Sequence, residues 1–568
     1  MKKLIALLLA LVMVVGLVAC GKTADELVEE VAPEAAPEAA PEAAPEAAPA
    51  ADDTLKLMWH QAQGIDTKLE APWWDIQHLG PWMIFQPLVA QEADGQTMTG
   101  ILASDWEIAP DGLTYKFNIR EGVTWHDGEP LTPYDVAWSL SFHAISPVSQ
   151  IASANLSYIE GVAETKAAVA EDVDATAEIV SGITYDDTSV TNKITTPNKM
   201  FLTMLAQAAI MPAHVYEAVP LGDKGLDTYI GTGPYKIDEV KFPDYYTAVP
   251  YEGYWGNQPG ISKVLFTSYA AGGDTAAINA MITGELDYVY GNALSDITVA
   301  ENIVAQNAAT TYAIQSSTYN RKLMINQLGR SDGKNNDFTK QKEFRQAINM
   351  LLDKEAMASV YAGQAEPLTT FVPSGDALYN SDIPVHKRDV EGAKALLDSI
   401  GFDYSTPIDL ITYYTDQATA DLLQFVKQNL TEAGLNVEVE ILDSGAYSAR
   451  DAAGDWDLQY CSNGARTNAI QQYETVCASF SQDQGMKEER AQVFDPDYNA
   501  WLAAQDEAEA RKYADALQAT LADNCYQIPI YAMNTIVTYN TRVQLPEGLT
   551  NYDNMIIRNW HWDEWALN

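Results

Sequence analysis

Cysteine, histidine and basic charge are all scarce in this chain of 568 residues. It has four Cys and seven His, and 34 Lys plus Arg stand against 79 Asp plus Glu, a formal net charge of −45. Beyond Cys20 the cysteines are Cys461, Cys477 and Cys525, an odd number with no C-x-x-C or metal-type spacing. A disulfide framework and a thiolate metal centre are therefore excluded as organising features. One bridge at most is possible, with the pairing of Cys461 to Cys477 or Cys525 left open. No two histidines share a helical spacing, and no G-x-S-x-G elbow occurs, so metal-dependent and serine-hydrolase chemistry lack a local signature. The acidic excess makes nucleic acid and anionic headgroups poor partners and suits solubility outside the cell. Past the N-terminus, no apolar run is long enough to span a bilayer.

What is present begins with Lys2 and Lys3, followed by 16 apolar residues from Leu4 to Ala19 that end in Leu17-Val18-Ala19-Cys20-Gly21. This is shorter than the ~20 residues of a spanning helix, and small residues flank the cysteine, as a signal peptide with a lipoprotein processing box requires. Residues 1–20 are thus expected to be the signal peptide, with lipid on Cys20 and the mature chain starting there. Two or more acyl chains, at ~0.8 kcal/mol per buried CH₂, make such an anchor stable. The overlapping Gly16 to Thr23 also spells G-x-x-x-x-G-K-T, but a phosphate-cradling loop needs a strand before it and a helix after it, and here it straddles a cleavage site.

Residues 21–53 follow as a tether. Proline recurs at 33, 37, 41, 45 and 49, and residues 24–53 hold ten acids, no basic residue and no aromatic, so they cannot build a core. Proline every fourth residue blocks a helix and favours extended polyproline geometry, reaching at most ~100 Å. From residue 54 the composition is that of a packed protein of two or three domains. Thr54 to His60 alternates as a strand. Ala393, Leu396, Leu397 and Ile400 fall at helical spacing, with Gly401 as a stop. Leu422, Leu423, Val426 and Leu430 repeat that spacing up to Gly434, and Val437, Val439 and Ile441 then alternate. Helices wound between strands predict an α/β fold.

Short motifs then accumulate in a fixed order: Leu102-Ala103-Ser104-Asp105-Trp106-Glu107, Asp111-Gly112-Leu113-Thr114-Tyr115-Lys116-Phe117, Arg120-Glu121-Gly122-Val123 and Trp125-His126-Asp127-Gly128-Glu129-Pro130, leading into Tyr134-Asp135-Val136. Downstream come Pro212-Ala213-His214-Val215, Gly231-Thr232-Gly233-Pro234-Tyr235, Tyr254-Trp255-Gly256, Gly284-Glu285-Leu286-Asp287, Phe344-Arg345-Gln346-Ala347-Ile348 and Gly454-Asp455-Trp456-Asp457-Leu458. Over nearly all of 54–568 the chain resembles the extracellular solute-binding proteins of peptide and nickel ABC importers, the oligopeptide- and dipeptide-binding family. The motif residues themselves are expected to be structural: Asp127-Gly128 a turn, Trp106, Trp125 and Trp138 core, His126 a hydrogen-bonded framework histidine, and the glycines of 231–235 a source of backbone freedom.

The resemblance implies a two-lobed periplasmic-binding-protein-like (class II) clamp with an extra family-specific domain. One lobe would comprise 54–92, 221–315 and 526–568, the extra domain 93–220, and the second lobe 316–525, with two crossing strands as the hinge. It implies capture of a peptide or peptide-like solute between lobes and delivery to the permease subunits of an ABC importer, by a monomer, with no cofactor and no chemistry on the ligand. The place of work would be the outer face of a cytoplasmic membrane, in an envelope of the Gram-positive type.

One departure from the family pattern concerns the ligand. Where peptide-binding members carry an aspartate for the peptide amine, ungapped placement puts Arg466 within Cys461-Ser462-Asn463-Gly464-Ala465-Arg466-Thr467-Asn468. Either another acid, Asp455 or Glu474, serves the amine, or the cleft takes a different solute. In the latter case Arg466 could grip a carboxylate or phosphate while Asn463 and Asn468 donate and accept; otherwise Arg466 pairs with Glu474. On the facing lobe Trp73, Trp74 and Trp82 are candidate ligand contacts, since indole faces suit sugars, aromatic groups or cations. An oligosaccharide or anionic non-peptide solute is the alternative ligand. Nickel or haem is a lesser one, with His60 and His78 placed for it; no metal ligand set is assigned.

Overall fold

In Thr54–Trp59 every second side chain is apolar, and Leu55, Leu57 and Trp59 are buried while their neighbours are half-exposed, which is the period a strand covered on one face requires. The computed structural model describes residues 53–59, 68–73, 79–92, 97–149, 156–170, 172, 174–269, 273–290, 297–464, 466, 468–478, 485–504, 506–546 and 561–568. Cys20, the tether, His60, Trp74 and His78 lie outside them. Among the described residues no helix is long and apolar enough to cross a membrane.

Thr54–Trp59 lies inside a sheet of seven strands, in the order Tyr235–Lys241, Tyr245–Pro250, Lys263–Ser268, Thr54–Trp59, Tyr288–Tyr290, Thr535–Asn540 and Thr310–Gln315. A second sheet of six strands runs Ala365–Pro367, Gln527–Met533, Asn320–Ile325, Leu458–Asn463, Pro407–Thr412 and Asn436–Ile441. Ala103–Ile108, Thr114–Ile119, Ser189–Lys193 and Ile183–Tyr185 make a smaller antiparallel sheet. Packed on it is the helix Pro133–Ile145, which begins with Pro133 and a capping box between Thr132 and Asp135.

The two large sheets are joined twice, and the joins lie side by side. Gln315 pairs with Thr535 at the end of the first sheet, and Asn320 pairs with Ala532 at the start of the second, so both crossings are single, adjacent chain segments. Gln527–Met533 was expected with the first lobe; it hydrogen-bonds instead into the second sheet, and the chain changes sheet only at Asn534. The physical reason is its pairing: antiparallel to Asn320–Ile325, it brings Ile528, Ile530 and Tyr531 into the second core.

Helices cover the second sheet as their periodicity predicts. Asp389 caps Val390–Ser399 and Asp416 caps Gln417–Glu432, each accepting from a backbone N–H three residues on. Gly401 and Gly434 take positive φ at the ends. Leu397, Leu422, Leu423, Val426 and Leu430 bury against Leu323, Leu410 and Ile528, each worth roughly 1.5–3 kcal/mol of transfer free energy.

The segment expected as an extra domain does not have a core of its own. Phe117, Trp125 and Trp138 belong to the same apolar cluster as Leu57 and Phe266 of the first sheet. Met200 and Met204 pack instead with Phe371, Tyr473 and Trp501 from the second half of the chain, and Lys199 N donates to Leu502 O at 2.8 Å. Trp106 is only half-buried, at the rim of the first core.

His126 and Gly231-Thr232-Gly233 explain one another. The Gly231 N–H donates to His126 Nδ1 at 3.3 Å, and His126 Nε2 donates to Gly233 O at 3.0 Å, which fixes the neutral tautomer; burial pushes its pKa down to about 4. The glycines are needed for close approach, not for backbone freedom. A Cβ on Gly231 would sit 2.0 Å from Ile84 O, and one on Gly233 would sit 2.2 Å from Met83 O. Gly128, by contrast, has φ +94 in the turn between bridged Thr124 and Pro130.

Candidate ligand site at the strand crossings

Pro407–Thr412 and Leu458–Asn463 are parallel neighbours, and their carboxyl ends come out beside both crossings. In open α/β sheets, groups gathered at this end face the crevice where ligands bind. The crossings are tied to it. Thr318 Oγ1 donates to Arg466 O at 2.7 Å and accepts from Arg466 N at 2.6 Å, while Gln472 Nε2 donates to Thr318 O and Gly464 O, both at 2.9 Å. On the other strand, Gln364 Nε2 donates to Asn534 O at 3.1 Å.

A cluster of tyrosines occupies the same end. Register places Arg321 opposite Ser462 on one side and Tyr531 on the other, so these side chains share a face with Tyr460. The Tyr460, Tyr531 and Tyr361 hydroxyls form a hydrogen-bonded chain, Tyr531 donating to Tyr361 at 3.1 Å. Tyr413 donates to Tyr414 at 2.8 Å, and Tyr414 bonds Ser462 Oγ at 2.8 Å. Burial raises the pKa of Tyr414 and Tyr460 well above the ordinary phenol value, so the hydroxyls stay protonated.

The residues singled out from sequence fall into several places. Trp73 and Trp82 are core: Trp73 Nε1 donates to Asp223 O at 2.7 Å and its ring packs 4.6 Å from Phe142, and both indoles are about 98% buried or more. Indoles so enclosed present no face to a solute, which corrects the expectation that they line the cleft. Asn468 is a cap, its side chain accepting from Ile470 N at 2.8 Å in a capping box with Gln471. Asn463 is buried in its strand, and its Nδ2 has no partner among the described residues.

Arg466 is exposed, with Nη2 3.9 Å from Glu474 Oε2. Glu474 also accepts from Tyr498 OH at 3.0 Å, and burial raises its pKa against the pull of Arg466. Asp455, the other acid considered for an amine, sits at the amino end of Leu458–Asn463, where it accepts from Ser331 Oγ and Asp332 N, both at 2.8 Å. A strand's length therefore separates it from Asn463. Cys461, Cys477 and Cys525 are all free and buried, so neither disulfide pairing forms.

Arg321 and the tyrosines were missed by sequence reasoning, although a signal was there. Asn320-Arg321-Lys322 opens a strand that is otherwise apolar, and Tyr413-Tyr414 follows directly on the buried run Leu410-Ile411-Thr412. Cations and stacked phenols at the ends of buried strands need partners, and these pointed to one end of one sheet.

Comparison with known proteins agrees with this architecture. The family described as bacterial extracellular solute-binding proteins, family 5, matches residues 97–482. A protein named as a peptide-binding component of an ABC transporter in Brucella ovis is 26% identical over 382 residues. The glutathione-binding protein GsiB of Escherichia coli K12 is 26% identical over 363 residues. These matches take in 65% and 62% of either chain, so the chain spans somewhat under two thirds of the curated relatives it matches. The crystal structure of a peptide-binding protein, AppA, from Clostridium difficile superposes with a TM-score of 0.72 at 15% identity, covering 91% of this chain and 100% of that one. That likeness establishes the two-lobed α/β binding-protein fold. With the matched region taking in well over half of its length, the chain belongs to the family 5 bacterial extracellular solute-binding proteins.

Proposed function

We propose that this protein is the substrate-binding lipoprotein of an ABC importer, which captures a peptide or peptide-like solute between its two lobes and delivers it to the membrane permease. The observation that carries this reading is the pair of adjacent crossings at Gln315–Asn320 and Met533–Thr535, with polar and aromatic groups gathered where the second sheet meets them. The chain passes between the two large sheets only at these segments, so in this reading the lobes open and close as bodies about them, while the packing of Met200 and Met204 on Phe371, Tyr473 and Trp501 is made in the present state. A solute that touches both lobes stabilises the closed state by its differential contacts, and the permease distinguishes that state. The peptide reading is supported by the names of the Brucella and Escherichia coli relatives. The oligosaccharide alternative loses support, since Trp73 and Trp82 are core residues.

In this reading lipid on Cys20 and the acidic tether hold the monomeric receptor on the outer face of the cytoplasmic membrane, raising its concentration near the permease. Metabolic labelling with a fatty acid should mark the wild type and not Cys20→Ala. The function is tested by mass spectrometry of solutes that co-purify with the mature chain, backed by thermal shift against a peptide library. A bound peptide should raise the melting temperature by mass action. Cleavage of the peptides on incubation would sink the receptor reading.

A further inference from the structure

We propose that Arg321 is the anchor for a carboxylate of the bound solute. The inference deepens the importer reading and rests on it. Arg321 stands out among the arginines drawn into the second half of the chain because no acid or carbonyl of the described residues partners it. Its guanidinium lies 3.8 Å from the Tyr414 ring centre, 5.4 Å from Tyr319 and 5.9 Å from Tyr460. Among the described residues it makes no ion pair and donates no hydrogen bond, and its Nη1 is a buried donor without an acceptor. The other buried arginines are saturated: Arg330 by Asp332, Asp409 and Asp457, Arg345 by Lys340 O and Asn524 O, and Arg490 by Val476 O and Gly485 O.

Ring faces hold a guanidinium in place without using its N–H groups, because stacking is perpendicular to the plane in which the five donors lie. The donors thus remain free in a fixed plane, the geometry that a carboxylate meets with two parallel bonds. The Tyr413, Tyr414, Tyr460 and Tyr531 hydroxyls bond each other, Tyr361 and Ser462, and none of them accepts from Arg321. When Tyr414 donates to Ser462, the Ser462 hydroxyl hydrogen is left for a second acceptor beside the same cation. Arg321, Tyr319, Tyr414 and Ser462 are all half-buried and Tyr413 is exposed, so the cluster is not sealed from solvent. In a chain of net charge −45 an anion is repelled at long range, and a local, desolvated cation is what would select one.

The test uses the mature full-length chain and two peptide sets of two to five residues, one with free carboxyl termini and one amidated, with binding measured by calorimetry. Free acids should bind at least tenfold tighter than their amides. Arg321→Gln should abolish that preference, Arg321→Lys should keep part of it, and Arg466→Ala should keep it whole. Thermal unfolding of each variant verifies its fold. Peptide binding that ignores amidation, or an acid preference that survives Arg321→Gln, overturns the anchor and leaves the importer reading standing. If neither set binds, the peptide reading fails, and succinate, citrate and inorganic phosphate decide on Arg321. Saturable binding of a carboxylate that is lost in Arg321→Gln upholds the anchor; binding of phosphate alone, or of none of the three, overturns it.

Discussion

The two ends of the second sheet treat a buried arginine in opposite ways. At the amino ends of Pro407–Thr412 and Leu458–Asn463, the Arg330 side chain is 1% exposed and closed in by acid: Asp332 at 2.6 Å, Asp409 at 2.7 Å and Asp457 at 3.1 Å. Lys334 and Arg450 reach the same Asp409 from outside, and Asp457 also accepts from the Asp409 backbone N–H. At the carboxyl ends of the same strands Arg321 meets three phenol rings and no acid among the described residues. A charge with its counter-charges built in stabilises the fold and is closed to solutes. A charge held by π faces adds little to the fold and keeps its donors. The difference teaches that burial of a charge does not mark a site; burial without compensation does.

Breaking the compensated end should have the largest effect. Arg330→Ala leaves Asp409 and Asp457 facing each other in the interior, and removing one partner of a buried ion network costs about 3–5 kcal/mol. Urea denaturation should show that loss, and a change below ~1 kcal/mol would erase the distinction between the ends. Lys354 offers a third kind of buried cation, 1% exposed, with Nζ donating to Leu368 O at 2.9 Å; burial pushes its pKa down to about 7. Its folded value lies below the unfolded ~10.4, so the unfolded chain binds more protons between the two and stability rises with pH across that window, by roughly 5 kcal/mol at most. Relative to Lys354→Met, the wild type should therefore gain stability from pH 7 to 10 in denaturant titrations. A parallel pair of curves would show that the amine is not held neutral. Lys334 is 56% exposed at the edge of the Arg330 network, and Lys334→Ala should cost less than ~1 kcal/mol and less still in high salt.

The sequence carried the fold further than the site. Helices at 390–399 and 417–432 were legible because period, Asp caps and following glycines agree, and the ordered motifs identified the family before any packing was known. The exchange of Gln527–Met533 between lobes was not legible, since a strand buried on both faces looks alike in either sheet. The sharing of one core by Trp125, Trp138 and Phe266 was hidden for a similar reason, because apolar content does not name its partner. At the site, local alignment drew attention to Arg466, whose side chain lies in the open near Glu474, while Arg321, 145 positions earlier, shares a face with Tyr460 and Ser462 only through the register of an antiparallel pair. Long-range register is a tertiary fact, and a linear motif does not contain it.

Arg321→Met carries the smallest expected change in stability and the sharpest test of the comparison. The substitution forfeits a stacking interaction of about 0.5–2 kcal/mol over Tyr414 and relieves a desolvated charge that has no acid beside it, while the unbranched thioether refills much of the volume. These terms oppose each other, so the unfolding free energy should change by no more than ~1 kcal/mol in either direction. A loss of several kcal/mol, on the scale expected for Arg330→Ala, would mean that the phenol rings satisfy Arg321 as fully as carboxylates satisfy Arg330. The two ends of the sheet would then differ in chemistry alone, and Arg321 would have no donors held in reserve for a solute.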